Sequence, residues 1–312
     1  MKLKSTLLGL TAAVVALTLV SDPLHVIKPH AAAAISTLRS GLLGESGSPL
    51  TSSVEGEAAI LMDADTGKVL FEKQKDSRLY PASTTKIVSA MVALEKGGAK
   101  DRITVGDEIR LKTTGESTAG LWEGQRLSLE DLIAAMMLPS GNDAARTVAR
   151  YIAEKDSGRK LSAEEGIAYF AGLMNEKAAA VGAKRSHFTN PHGLHDPKHY
   201  TTAGDMALLA REAMKNKVFR SIVDQPRHTV ASAGHSQTFV NRNQLLQEGG
   251  AYYFKGVNGV KTGFTDEAGY CLVSSADLDG KNLITVVLRS SSGGVYTDTH
   301  ALLKLAVNKE AA

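Results

Sequence analysis

A single cysteine, Cys271, among 312 residues rules out an intramolecular disulfide. It lies in Gly269-Tyr270-Cys271-Leu272-Val273-Ser274, which reads as a buried strand, so the thiol is expected to be an inert core group. Charge of one sign is also scarce: 36 basic and 33 acidic residues leave a net charge of only +3. The basic residues are dispersed, with no interleaving of arginine and aromatics, which argues against nucleic acid as a partner. Long apolar runs are missing after the N-terminus, so no second segment approaches the ~20 residues of a spanning helix. No internal repeat is apparent, which excludes solenoid architectures. Four histidines, His187, His192, His195 and His199, fall close together, but without nearby cysteines they suggest no metal centre, and no cofactor is expected.

What the chain does contain is ordinary globular composition, 43% hydrophobic and 22% charged, enough for one large domain or two modest ones. Lys2 and Lys4 precede an apolar run from Leu7 to Val20, and Ala31-Ala32-Ala33-Ala34 follows later. This order reads as a secretory leader over residues 1–34, with an uncleaved N-terminal anchor as the alternative. Residues 35–56, rich in Ser and Gly, read as a flexible lead-in. A catalytic domain is expected over 57–312, leaving no room for a C-terminal β-domain or a C-terminal membrane anchor.

The most informative stretch is Ser83-Thr84-Thr85-Lys86, placed where Tyr80-Pro81-Ala82 gives way to the apolar helix pattern of Ile87-Val88-Ser89-Ala90-Met91-Val92-Ala93-Leu94. Side chains three apart on a helix share a face, so Lys86 can reach Ser83. A serine hydroxyl needs a neighbouring base to become a nucleophile, and a desolvated lysine can be that base. A second serine–lysine pair, Ser157-Gly158-Arg159-Lys160, lies in a polar stretch with no apolar helix to bury its lysine, and reads as a solvated loop. Two further motifs follow in order: Ser140-Gly141-Asn142 after an apolar helix, and Lys261-Thr262-Gly263 on a strand pattern. Together the three form the active-serine set of penicillin-binding proteins and class A β-lactamases.

Beyond those motifs, the chain resembles the low-molecular-weight penicillin-binding proteins, the serine D-alanyl-D-alanine carboxypeptidases of peptidase family S11, along nearly all its length after Ala58. The stretches carrying the resemblance include Ala58 to Leu70, Pro81 to Lys86, Leu138 to Ala145, Phe188 to Leu194, His199 to Asp205, and Gly259 to Thr265 leading into Ala268-Gly269-Tyr270. The resemblance implies an α+β DD-peptidase/β-lactamase-like fold, an antiparallel sheet flanked by helices with an inserted, mostly helical lobe.

It also implies roles. Ser83 attacks a carbonyl to form an acyl-enzyme and Lys86 takes its proton. Ser140 relays a proton towards the leaving amine, and Asn142 bonds the substrate amide or Lys86. Lys261, Thr262 and Arg242 meet the substrate carboxylate, while Gly263 permits close approach. The backbone N–H groups of Ser83 and Phe264 form the oxyanion hole. His192, in the Asn-Pro-His-Gly-Leu loop, looks structural. One departure stands out. Family carboxypeptidases usually carry an arginine several residues after the strand matching Val286-Val287-Leu288, but here Arg289 is followed only by Ser290-Ser291-Ser292-Gly293-Gly294. The implied activity is removal of the terminal D-alanine from peptidoglycan stem peptides, with β-lactam antibiotics as covalent inhibitors, outside the cytoplasm. A DD-endopeptidase, a β-lactamase and a non-enzymatic wall-binding module remain the alternatives.

Periodicity places strands at 58–62 and 68–72, helices at 129–137, 143–154, 163–180 and 203–215, strands at 229–231, 259–264, 269–276 and 282–288, and a closing helix at 296–307.

Overall fold

The computed structural model of the chain describes residues 53–232 and 234–308. The expected leader and the lead-in up to residue 52 lie outside them. The last part of that lead-in is packed rather than loose. Val54 is buried, and the backbone N–H groups of Glu55 and Gly56 donate to the Asp298 carboxylate at 2.9 and 2.8 Å.

Strands β1 (Ala58–Asp63), β2 (Val69–Lys73), β7 (Val257–Thr265), β8 (Gly269–Leu278) and β9 (Lys281–Ser290) form one antiparallel sheet in the order β2-β1-β9-β8-β7. Two short ribbons accompany it, β3 (Arg102–Thr104) with β4 (Arg126–Ser128), and β5 (Arg227–Ser232) with β6 (His235–Val240). The helices are α1 (Lys86–Lys96), α2 (Leu129–Met137), α3 (Asn142–Ser157), α4 (Ala163–Val181), α5 (Ala203–Ala213), α6 (Lys217–Val223) and α7 (Gly294–Asn308).

The central strands are buried on both faces, which is why they read as continuous apolar runs rather than alternating ones. In β9, Ile284, Val286 and Leu288 join the core shared with α1 and α5, while Leu283 and Val287 point the other way, onto Leu302 and Leu303 of α7. Helix α1 is buried from Lys86 through Ala93, so it threads the core instead of covering it. Its neighbours α2 and α4 start from reciprocal capping boxes, Ser128 with Asp131 and Ser162 with Glu165. The expected α+β architecture with an inserted helical lobe is the one found.

Several elements escaped the pattern reading. Strands β3 and β4 have three residues each, too few to show a period. In β6 only Phe239 is buried, so the strand looks polar throughout. Helix α6 was missed although Asn216 caps it, its side chain accepting from Val218 N and Phe219 N. No helix among the described residues is long and apolar enough to cross a membrane.

One arrangement positions the site. Strand β7 pairs only with β8, and its other side lies against a short 3-10 turn, Ala82–Thr85, that leads directly into α1.

Candidate active site

Ser83 sits in that 3-10 turn, and Lys86 is the first residue of α1. A helix N-terminus at Ser83 itself was the expectation. The tighter turn changes little, because residues i and i+3 eclipse one another in 3-10 geometry. Lys86 Nζ lies 2.9 Å from Ser83 Oγ. Two glycines let other segments close on this turn. A Cβ at Gly263 would lie 3.0 Å from Ser83 N, so β7 reaches the nucleophile turn only because residue 263 has no side chain. A Cβ at Gly193, whose φ is +85°, would fall 1.8 Å from the Ala82 carbonyl oxygen.

Lys86 is wholly enclosed, and its amine meets two more acceptors, Asn142 Oδ1 at 2.6 Å and the His192 carbonyl at 2.8 Å. Burial drives its pKa well below the ordinary lysine value, and the nearby Lys261 charge pushes the same way against the pull of Glu116. A neutral amine has two N–H donors and one lone pair. With both donors spent on the two carbonyls, the lone pair faces Ser83 Oγ, which then becomes the donor.

Ser140 and Asn142 flank the turn between α2 and α3. Ser140 is buried and holds φ at +67°, in the left-handed region that few non-glycine residues occupy. Asn142 N donates to Ser117 O at 2.9 Å, and Asp143 accepts from Ala119 N and Leu121 N at 2.8 and 3.0 Å. The 113–121 loop is thereby tied to α3 and forms one wall of a cleft of about 1280 Å³, whose lining includes Ser83, Ser140, Asn142, Thr262 and Arg242.

On β7, Lys261 is buried, its Nζ donating to Thr262 O at 2.9 Å. Burial lowers its pKa to about 7, and the Arg242 charge adds to the shift. Thr262 is half-buried and Phe264 exposed, both lining the cleft. Arg242 also lines the cleft, its Nη1 donating to Ser117 Oγ at 2.7 Å. Arg289 does not reach it: the guanidinium pairs with Glu57 at 3.1 Å. Just beyond β9, Ser292, Val295 and Tyr296 line the cleft.

The other candidates separate cleanly. Lys160 is almost fully exposed and pairs with Glu154 at 3.2 Å, away from any serine nucleophile. His192 contributes its carbonyl to Lys86, and burial holds its ring pKa well below the usual value. His199 is buried. Its Nδ1 accepts from Thr189 N, which leaves Nε2 to donate to Thr85 Oγ1 at 2.8 Å, and burial lowers its pKa to about 4. Cys271 is buried, with its thiol pushed up to about 12. Among the described residues no group of three His, Cys, Asp or Glu side chains is placed to hold a metal ion.

Sequence reasoning missed Glu116 and Arg146, a side-chain pair closed to solvent beside Asn142. The signal was available in part. An arginine inside Ala144-Ala145-Arg146-Thr147-Val148-Ala149 on a buried helix needs a partner, though the pattern does not say which.

A serine on a 3-10 turn, a buried lysine at its side and a sheet edge carrying Lys-Thr-Gly define the class. The model of the D-alanyl-D-alanine carboxypeptidase family, peptidase S11, matches residues 45–292, and the chain belongs to that family. The D-alanyl-D-alanine carboxypeptidase DacF of Bacillus subtilis is 35% identical over 246 residues, 76% of this chain and 58% of its own length. The D-alanyl-D-alanine carboxypeptidase of a Streptomyces species is 33% identical over 254 residues, covering 78% of this chain and 83% of that one. The crystal structure of the Streptomyces K15 DD-transpeptidase superposes with a TM-score of 0.74 at 30% identity, over 82% of this chain and 98% of that one. The chain thus spans less than two thirds of the Bacillus relative.

Proposed function

We propose that this chain is a serine DD-carboxypeptidase that removes the terminal D-alanine from peptidoglycan stem peptides, with β-lactams as covalent inhibitors. The observation that carries this is the Lys86 amine, desolvated, 2.9 Å from Ser83 Oγ, with both its neutral-state donors already engaged. Ser83 Oγ attacks the carbonyl of the penultimate residue as its proton passes to Lys86 Nζ. The resulting oxyanion is met by the N–H groups of Ser83 and Phe264. Collapse breaks the amide bond, and the leaving D-alanine nitrogen takes a proton relayed from Lys86 through Ser140. Water then attacks the acyl ester, giving up its proton to Lys86, which passes it to Ser83 Oγ as the ester bond breaks and the shortened peptide leaves.

Lys261, Thr262 and Arg242 hold the terminal carboxylate. Its negative charge favours the ammonium form of Lys261, so binding and protonation reinforce each other. We read residues 57–312 as the catalytic domain, acting on peptidoglycan outside the cytoplasm and delivered there by the leader expected at 1–34. The test is mass spectrometry of muropeptides before and after incubation with purified enzyme, together with labelling by a fluorescent penicillin. Loss of one D-alanine from pentapeptides and labelling at Ser83 are expected. Intact pentapeptides and no label would overturn the proposal.

A further inference from the structure

The Lys86 mechanism depends on an amide that could sit either way round. Asn142 presents Oδ1 to Lys86 at 2.6 Å. Rotated by half a turn, it would present Nδ2, a donor facing a donor, and the lysine lone pair would lose its aim.

What decides the orientation lies on the far side of the amide. Asn142 Nδ2 donates to Glu116 Oε2 at 3.3 Å. The Glu116 carboxylate also accepts from Arg146 Nη1 and Nη2 at 2.6 and 2.7 Å, and from Thr113 Oγ1 at 3.1 Å. The Glu116 and Arg146 side chains are 0% and 2% exposed. Burial alone would raise the carboxyl pKa, but Arg146 outweighs it and leaves Glu116 below its ordinary value. An ionised carboxylate only accepts and a guanidinium only donates, so neither can reverse its role. Donation therefore converges on Glu116, from Arg146 on one side and from Lys86 through Asn142 on the other.

We infer that Glu116, clamped by Arg146, is a positioning residue that fixes the orientation of the Asn142 amide and through it the direction of the Lys86 lone pair. The inference rests on Lys86 being the base. A buried ion pair gives little net stability over an apolar pair of the same volume, so stability alone does not account for one at this place.

The experiment measures acylation by a chromogenic cephalosporin for Glu116→Gln, in the otherwise natural chain and with Asn142→Ala. A glutamine has one acceptor oxygen where the two carboxylate oxygens served Arg146 Nη1, Arg146 Nη2 and Asn142 Nδ2, so its NH2 group must face one of these donors and the single orientation of the Asn142 amide is no longer enforced. We expect acylation to fall at least about tenfold, and by no more than the roughly 10²–10⁴-fold that general-base catalysis contributes, and the same substitution to add almost nothing once Asn142 is alanine. The charges facing Lys86 are Lys261, Glu116, Arg146 and Asp143, and Glu116 favours the ammonium. Its removal should therefore move the acid limb of the pH profile to lower pH whether or not it orients the amide, so the loss is read on the plateau above that limb, where only the aim of the lone pair can lower the rate. Additive losses in the two backgrounds, or normal acylation in Glu116→Gln, overturn the inference. Should that variant not fold, Glu116→Gln/Arg146→Gln, which leaves no buried charge unpaired, is read by the same cycle. Lys86→Ala serves as the separate control: if it acylates normally, the base assignment fails rather than the role of Glu116.

Discussion

Lys86 Nζ stands 2.9 Å from Ser83 Oγ with no solvent access, and two carbonyl oxygens take up its remaining hydrogen-bonding directions. Ser83→Ala should abolish covalent penicillin labelling while the thermal midpoint stays nearly unchanged, since the hydroxyl makes only a long 3.5 Å contact to the His192 carbonyl apart from Lys86. Lys86→Arg should lose acylation by about 10²–10⁴-fold, because a guanidinium cannot release its proton in the working range. Label retained in Ser83→Ala, or moved to Ser157, would show the nucleophile to be elsewhere.

The motif serines and lysines were legible because their chemistry is tied to a few residue types at fixed local spacing. Ser83 and Lys86 are three apart, and Lys261 to Gly263 are contiguous. What brings those motifs together was not legible. The carbonyl of His192 reaches Lys86 from 106 positions away, and a backbone oxygen carries no residue-type signal. Glu116 lies in a polar loop without periodicity, so nothing marked it as the partner of a helix residue 30 positions on. The sheet was readable at β8 and β9, whose apolar runs fill both faces, but not at β3 and β4, where a single apolar pair, Ile103 with Leu127, is too short a run to show a period.

Gly193→Ala tests how tightly the His192 loop presses on the nucleophile turn. The new Cβ would fall 1.8 Å from Ala82 O, on backbone that already sits at φ +85°. Overpacking should cost about 1–3 kcal/mol, and the left-handed backbone roughly 1–2 kcal/mol more. Gly172→Ala, on an exposed stretch of α4 with nothing within 4 Å of the new Cβ, should instead stabilise by roughly 0.5–1 kcal/mol. Thermal unfolding of the pair decides it, and equal midpoints would mean the loop can withdraw without loss.

Lys261 predicts a pH effect on binding of opposite sign to the effect on acylation. Its pKa is lowered to about 7 in the free enzyme, and a bound carboxylate raises it. A ligand that raises a pKa binds best where the group is already protonated, so affinity for carboxylate-bearing peptides should be full below pH 7 and weaken as pH rises above it. Acylation at saturating substrate should rise with pH through the lowered pKa of Lys86. Measured separately, KM should climb above neutrality while the single-turnover rate does not fall. Replacing the carboxylate by an amide should remove the climb in KM. A KM independent of pH for both ligands would mean that Lys261 does not meet the carboxylate.

The last prediction concerns the missing arginine. A free terminal carboxylate gains about 1.5–3 kcal/mol from a charge-assisted contact, most of all from a bidentate guanidinium. Arg289, at the end of β9, pairs with Glu57, and no arginine follows it in the sequence; Ser292, Val295 and Tyr296 line the cleft beyond the strand. In the proposed mode of binding Lys261, Thr262 and Arg242 hold the carboxylate, and Arg242 is itself tethered to Ser117 at 2.7 Å. Discrimination between a free D-Ala-D-Ala terminus and a crosslinked peptide should therefore be modest, with DD-endopeptidase activity measurable beside carboxypeptidase activity. Arg242→Ala should lower kcat/KM on a pentapeptide by about 10–100-fold, the equivalent of 1.5–3 kcal/mol, and affect the crosslinked dimer much less. Both substrates are assayed side by side on the purified enzyme. Efficient cleavage of the monomer with none of the dimer, insensitive to Arg242→Ala, would place the grip on the carboxylate in other residues of the cleft.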